Sequence, residues 1–253
     1  MILSEPPRSA YDVHFRLFGV PVRIHPLFWL MTICMAGFDS RPSQVAMWLV
    51  AVLISITIHE LGHVLAFRRF GVDAYIVLYS FGGLAIPTNR VDYGWSSPVR
   101  LAPLHRAIVS FAGPAVQIFS ALVLLAAMHL SGVKILFPHV GILKFLPYAM
   151  VQSDYLRMFA NDYFYISIFW ALVNLLPIIP LDGGQISQVM FEAADPRTGT
   201  RQALMISMIV AGLTAALMIL EPFKSIYMAI FFVYLGYMNY QYLAFISSNG
   251  RRW

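Results

Sequence analysis

The stretch His59-Glu60-Leu61-Gly62-His63 lies inside Val45 to Phe67, an apolar run that otherwise reads as a membrane span. Two histidines four residues apart on a helix face the same side, because one turn takes about 3.6 residues. A carboxylate stands between them. This is the H-E-x-x-H pattern, two zinc ligands and a general base carried on one helix. Ionisable groups inside a spanning helix are costly and mark a functional site by default.

The rest of the chain fits that setting. Of 253 residues, 59% are hydrophobic and 11% are charged, against roughly 45–50% and about 25% in soluble domains. A mean hydropathy of +0.71 belongs to a polytopic membrane protein. The formal charge of +5 is assigned to loops rather than to nucleic-acid binding, since no Lys/Arg run is long enough to track a phosphate backbone. A single cysteine, Cys34, leaves no internal disulfide and no Cys-based zinc site, so His, Asp or Glu must hold any metal. The first 23 residues carry Arg8, Arg16 and Arg23 and lack an early apolar core, so no cleaved signal peptide is expected.

Apolar runs bounded by charges, Gly and Pro give about six spans. They are Ile24–Phe38, Val45–Phe67, Ala107–Leu130, Tyr163–Ile179, Gln202–Leu220 and Phe223–Ile246. Between spans 2 and 3, Ala74 to Tyr79 is rich in β-formers, Ser80-Phe81-Gly82-Gly83 reads as a turn, and Leu84 to Pro87 returns as a second strand. Residues 131–160 form the longest non-spanning segment on the side opposite the hairpin. The expected fold class is therefore an all-α polytopic membrane protein with a membrane-associated β-hairpin between spans 2 and 3. It forms one integral-membrane domain over 1–253, with a core over about 24–190 and additional spans over about 202–246.

With six alternating spans, the N-terminus, loops 2–3 and 4–5 and the tail carry twelve Lys/Arg, and the other side carries five. The positive-inside rule then puts both termini in the cytoplasm. Spans 2 and 4 both run inward, so His59, His63 and Asp182 fall at similar depth near the cytoplasmic face. The compact chain without targeting signals suggests a prokaryotic cytoplasmic membrane.

Catalytic zinc uses three protein ligands and leaves a fourth position for water. Asp182 is the best third candidate: Pro177 and Pro180 break the helix before it, and Gly183-Gly184 allow a sharp turn after it. Glu60 can take a proton from the attacking water and return it to a leaving amine. Asn174 is an amide in an apolar segment, suited to a developing oxyanion or to a neighbouring helix. The hairpin offers a strand edge to an extended peptide. A helical substrate must unwind first, because its carbonyls are held in i to i+4 bonds.

These motifs, in this order, resemble the site-2 protease family of intramembrane zinc metalloproteases. Beside the zinc helix, Ser80-Phe81-Gly82-Gly83 resembles the family's glycine turn. Ser110-Phe111-Ala112-Gly113-Pro114 resembles its A-G-P segment, and Asn174 to Gly184 resembles its N-x-x-P-x-x-P-L-D-G-G run. Phe18 to Pro26 fits its opening. The resemblance covers residues 15–190, and the last two spans match only as apolar helices. It implies one zinc ion (Zn2+) per chain on His59, His63 and Asp182, with Glu60 as catalytic base. Asn174, Phe81, Gly82 and Gly83 would contact substrate. The implied substrates are membrane-embedded segments of signalling proteins, cut in a lipid bilayer by a compact form with room for neither a PDZ nor a CBS domain. Gly113-Pro114 is read as close packing or a kink rather than chemistry, and His25 and His105 as interface or helix-capping residues. A membrane metal transporter using the His/His/Asp cluster and an inactive substrate-binding pseudoprotease are the rival readings. The oligomeric state is left open.

Overall fold

The computed structural model describes residues 5–37, 40–80, 82–88, 101–137, 146–220 and 224–249, and its contacts divide the chain into two compact units. Glu5–Arg100 and Ala112–Leu172 belong to the first unit; Leu101–Phe111 and Val173–Trp253 belong to the second.

In the first unit the order is β1 (Val13–Leu17), β2 (Val20–Ile24), α1 (Pro26–Ala36), α2 (Pro42–Arg69), β3 (Asp73–Tyr79) and β4 (Gly82–Thr88). The greater part of α3 (Pro103–Leu130), β5 (Lys134–Leu136), β6 (Tyr148–Met150) and α4 (Asp154–Phe164) follow, and α4 passes directly into π-helical turns over Tyr165–Trp170. Local chemistry sets the limits of α2. Pro42 stands at its start, and the Gln44 side chain accepts from the Arg41 N–H at 2.9 Å. Arg68 and Arg69 face the negative end of the helix dipole. Beyond them the Val72 N–H bonds to the Phe67 carbonyl and the Gly71 N–H to that of Arg68, with Gly71 at φ 75°. This is the Schellman stop, which needs a left-handed residue at Gly71.

The hairpin β3–β4 pairs Asp73 with Thr88 through to Tyr79 with Gly82. It is half of a four-stranded sheet in the order β1-β2-β3-β4, in which β2 and β3 run parallel. Residues 13–24, for which no strand was expected, supply the other half. Phe18 and Gly19, at φ 49° and 77°, close a two-residue turn between Leu17 and Val20. That is the tight hairpin turn with both central residues left-handed. Val20, Val22, Ile24, Ala74, Ile76 and Leu78 alternate onto the buried face of the sheet, which packs beside α2. Arg23 is buried on the other face, bonded to Glu5 and Asp12, and ties the chain before β1 to β2.

Four helices among the described residues are long and apolar enough to cross a membrane: Pro42–Arg69, Pro103–Leu130, Gly199–Ile219 and Ile226–Ser248. The chain is an integral membrane protein, mostly helical, with a small β-sheet. The other two expected spans have different bounds from those expected. The run from Ile24 gives Ile24 to β2 and leaves an 11-residue helix, α1, closed by Gly37; at about 1.5 Å per residue that covers little more than half of a hydrocarbon core about 30 Å thick. The run from Tyr163 is entered nine residues earlier, at Asp154. It continues through the π-helical turns into α5 (Ala171–Asn174) and ends in a turn before Pro177. The segment 131–160 contains the antiparallel pair β5–β6.

The second unit holds the start of α3, then α6 (Asp182–Ala194), α7 (Gly199–Ile219) and α8 (Ile226–Asn249). Small residues let α7 and α8 approach: a Cβ on Gly236 would meet the Ala211 methyl at 3.5 Å. Both helices also hold the turn that leads into α6. Ser207 accepts from the Ile179 N–H at 3.0 Å, and the Asn239 amide donates to the Ile179 carbonyl.

Candidate metal centre

Helix α2 puts His59, Glu60 and His63 on its buried side, each less than 8% exposed. Their potential ligand atoms lie within 4.8 Å of one another, the one such group among the described residues. The rings of His59 and His63 meet edge to face, and their Nε2 atoms approach to 3.1 Å. Zinc sits about 2.0–2.1 Å from an imidazole nitrogen, so both Nε2 atoms can reach one ion between them. The donor set therefore fits the metal the motif calls for.

Three glycines make room for this cluster. A Cβ on Gly62 would fall 2.6 Å from the Ala112 carbonyl oxygen, so its absence lets α2 and α3 touch through their backbones. At that contact Gly113 lies against both rings: a Cβ there would come 2.3 Å from His63 Nε2 and 2.9 Å from His59 Nε2. Pro114 follows inside the helix and removes the N–H that would bond the Ser110 carbonyl. The close packing expected of Gly113-Pro114 is thus packing against the metal-type ligands themselves. The third glycine is Gly83, at the start of β4, where a Cβ would fall 2.6 Å from Glu60 Oε1.

The far nitrogen of His59 is also engaged. Nδ1 lies 2.9 Å from Oε1 of Gln117, whose amide donates to Ser55 Oγ at 2.8 Å. Ser55 Oγ in turn lies 2.7 Å from Ser167 Oγ in the π-helical turns. None of Gln117, Ser55 and Ser167 has exposed surface. The sequence reading passed over Gln117, although an amide inside an apolar helix is the same signal that singled out Asn174.

The remaining candidates lie on other elements of the chain. Asp182 is buried at the first turn of α6 and Asn174 is the last residue of α5, both in the second unit. The backbone folds tightly around Asp182. A Cβ on Gly183 would fall 2.1 Å from the Leu175 carbonyl oxygen, and one on Gly184 2.3 Å from the Ile178 carbonyl carbon. Gly82 and Gly83 open β4, and Phe81 lies outside the described residues. His25 caps α1, its Nδ1 accepting from the Leu27 N–H at 3.2 Å.

The model of peptidase family M50 matches residues 47–219 of this chain. Zinc metalloprotease MJ0392 of Methanocaldococcus jannaschii is 22% identical over 175 residues, which are 68% of this chain and 43% of that protein. The Synechocystis protein sll0528 is 28% identical over 184 residues, 67% of this chain and 41% of that protein. The chain thus spans about two fifths of the length of these curated relatives. The solved site-2 protease from Methanocaldococcus jannaschii has a similar fold, at TM-score 0.51 and 20% identity, over 92% of this chain and 94% of that one. The helix bearing His59, Glu60 and His63 lies within the matched region, and the chain belongs to peptidase family M50, the site-2 protease family.

Proposed function

We propose that this chain is an intramembrane zinc endopeptidase that hydrolyses peptide bonds in or near transmembrane segments of membrane-tethered signalling proteins. The observation that carries the reading is the convergence of His59 and His63 Nε2 to 3.1 Å, buried beside Glu60 in a helix long enough to cross a membrane. Asp182 completes the ligand set as the third protein donor. Zinc, when bound, lowers the pKa of a water to near neutrality and polarises the scissile carbonyl. Glu60 takes the proton of the attacking water and delivers it to the leaving amine. Its carboxylate is held between α2 and the start of β4, where burial keeps bulk water from competing for the proton.

The substrate enters extended, along the β4 edge, with Phe81, Gly82 and Gly83 against its backbone and Asn174 donating to the developing oxyanion. A strand on that edge spends its backbone groups on the sheet instead of on its own helix, which leaves the scissile carbonyl open to attack. Residues 1–253 act as one membrane protease domain, in a prokaryotic cytoplasmic membrane, with both termini and the site on the cytoplasmic side. With six alternating spans, the excess of Lys/Arg in the corresponding loops supports that orientation.

The test compares membrane proteomes of cells carrying wild type or Glu60→Gln. General-base loss is expected to slow cleavage on the order of 10²–10⁴-fold, so an uncleaved single-span protein accumulates in the variant. Equal cleavage in both would remove Glu60 from the mechanism. A purified wild type that holds no zinc would remove the metal.

A further inference from the structure

We propose that Gln117 is a positioning residue for His59, holding the ring in the tautomer that turns its Nε2 lone pair toward His63. This rests on the metal reading above. A neutral imidazole carries one N–H, and the hydrogen bond at one nitrogen decides which nitrogen keeps the lone pair. Gln117 Oε1 lies 2.9 Å from Nδ1 and can only accept. An acceptor there keeps the proton on Nδ1 and leaves Nε2 as the basic atom. With the amide turned over, its NH2 would donate to Nδ1 and move the proton to Nε2, where it would block an ion.

The surroundings satisfy the useful orientation. The amide NH2 finds its acceptor in Ser55 Oγ at 2.8 Å, and Ser55 shares its own hydroxyl with Ser167 at 2.7 Å. The chain of bonds thus runs from the π-helical turns through α2 to α3 and ends on His59. The spacing on α3 explains why one helix serves both purposes. Gly113 and Gln117 are four residues apart and share a face; the glycine backs the rings at Nε2 while the glutamine reaches round to Nδ1. All three polar side chains are fully buried in a chain that crosses a membrane, where an unsatisfied amide would be costly.

The experiment measures zinc affinity of purified full-length protein in detergent by competition with a chromophoric chelator, together with the visible spectrum of the Co2+-substituted form. The proteins are wild type, Gln117→Leu, Gln117→Met, Gln117→Glu and Ser55→Ala. Loss of a partner behind a metal-bound histidine typically weakens binding about 10–100-fold. That loss is expected for Gln117→Leu and Gln117→Met, with a changed Co2+ spectrum. Gln117→Glu keeps an acceptor at Nδ1 and is expected to bind within about threefold of wild type and to keep its spectrum. Ser55→Ala releases the far end of the amide and is expected to fall between. If Gln117→Leu folds poorly, Gln117→Met and Ser55→Ala carry the comparison. Wild-type affinity in both apolar variants would overturn the inference, as would equal losses in Gln117→Met and Gln117→Glu. Failure of the wild type itself to bind zinc would instead overturn the metal reading.

Discussion

A side chain at position 83 would stand where the Glu60 carboxylate now lies, its Cβ 2.4 Å from Glu60 Cγ and 2.6 Å from Oε1. The hairpin therefore contributes more than a strand edge, since its missing side chain at Gly83 sets the position of the candidate base. Gly83→Ala must push the carboxylate aside, because the backbone of β4 is fixed by pairing with Leu78. A displacement near 1 Å costs about 10²-fold in rate. The expected outcome is a loss of that order in turnover of a reconstituted membrane peptide, with stoichiometric zinc retained. Unchanged turnover would show that Glu60 has room to spare and that the contact is incidental.

Gly113 offers the complementary case. Its Cβ would come 2.3 Å from His63 Nε2, on the side where both rings converge. Gly113→Ala is expected to abolish near-stoichiometric zinc binding, read by elemental analysis of the purified protein. Gel filtration and circular dichroism are expected to stay those of a folded helical protein, since overpacking by one methyl costs about 1–3 kcal/mol. A variant that kept its zinc at wild-type affinity would mean that the ion does not sit between the two Nε2 atoms.

What the sequence made legible follows from how local each signal is. The H-E-x-x-H spacing places His59, Glu60 and His63 by helical periodicity alone, and the structure brings those three together. The strands around Gly82 were legible because β-formers flank a turn. The partner strand β2 was not, because its pairing with β3 joins residues about fifty positions apart (Val22 with Ile76), and its own hairpin turn at Phe18-Gly19 carries only one glycine. The four long spans stand out by length and hydropathy. The shorter runs at Ile24 and Tyr163 were bounded less closely, because hydropathy registers neither a strand residue nor a glycine stop nor π-helical turns. Gln117 was missed for the opposite reason: it is one polar letter in an apolar helix, and its meaning lies in a ring 58 positions away.

The match to the family ends with α7 at Ile219, yet Asn239 of α8 donates both to the Ile179 carbonyl and to the Leu235 carbonyl, the latter at 2.8 Å. Ile179 stands three residues before Asp182. Asn239→Leu leaves the Ile179 carbonyl without that donor in a fully buried site, a loss of about 1–3 kcal/mol. Thermal unfolding in detergent is expected at lower temperature, and zinc affinity is expected to fall with it if Asp182 is a ligand held by this turn. A lowered melting point with unchanged zinc affinity would separate the turn from the metal.

Glu192 of α6 gives a pH signature outside the spans. Its partial burial would by itself raise its pKa. Hydrogen bonds from Thr200 and Gln188 and the guanidinium of Arg106, at 3.2 Å, outweigh that and hold the carboxyl below its ordinary value of 4.5. A depressed folded-state pKa means that the network stabilises the protein above that ordinary value. The contribution is lost as pH falls through the lower folded value. Thermal unfolding followed from pH 7 downward is therefore expected to show a fall in wild-type stability below about pH 4.5 that is reduced in Glu192→Gln, which keeps the geometry and cannot titrate. The difference should shrink with added salt, because Arg106 is nearly half exposed and its share is screened. Parallel pH profiles for the two proteins would mean that the bonds to Thr200 and Gln188 do not distinguish the charged carboxylate from the neutral one.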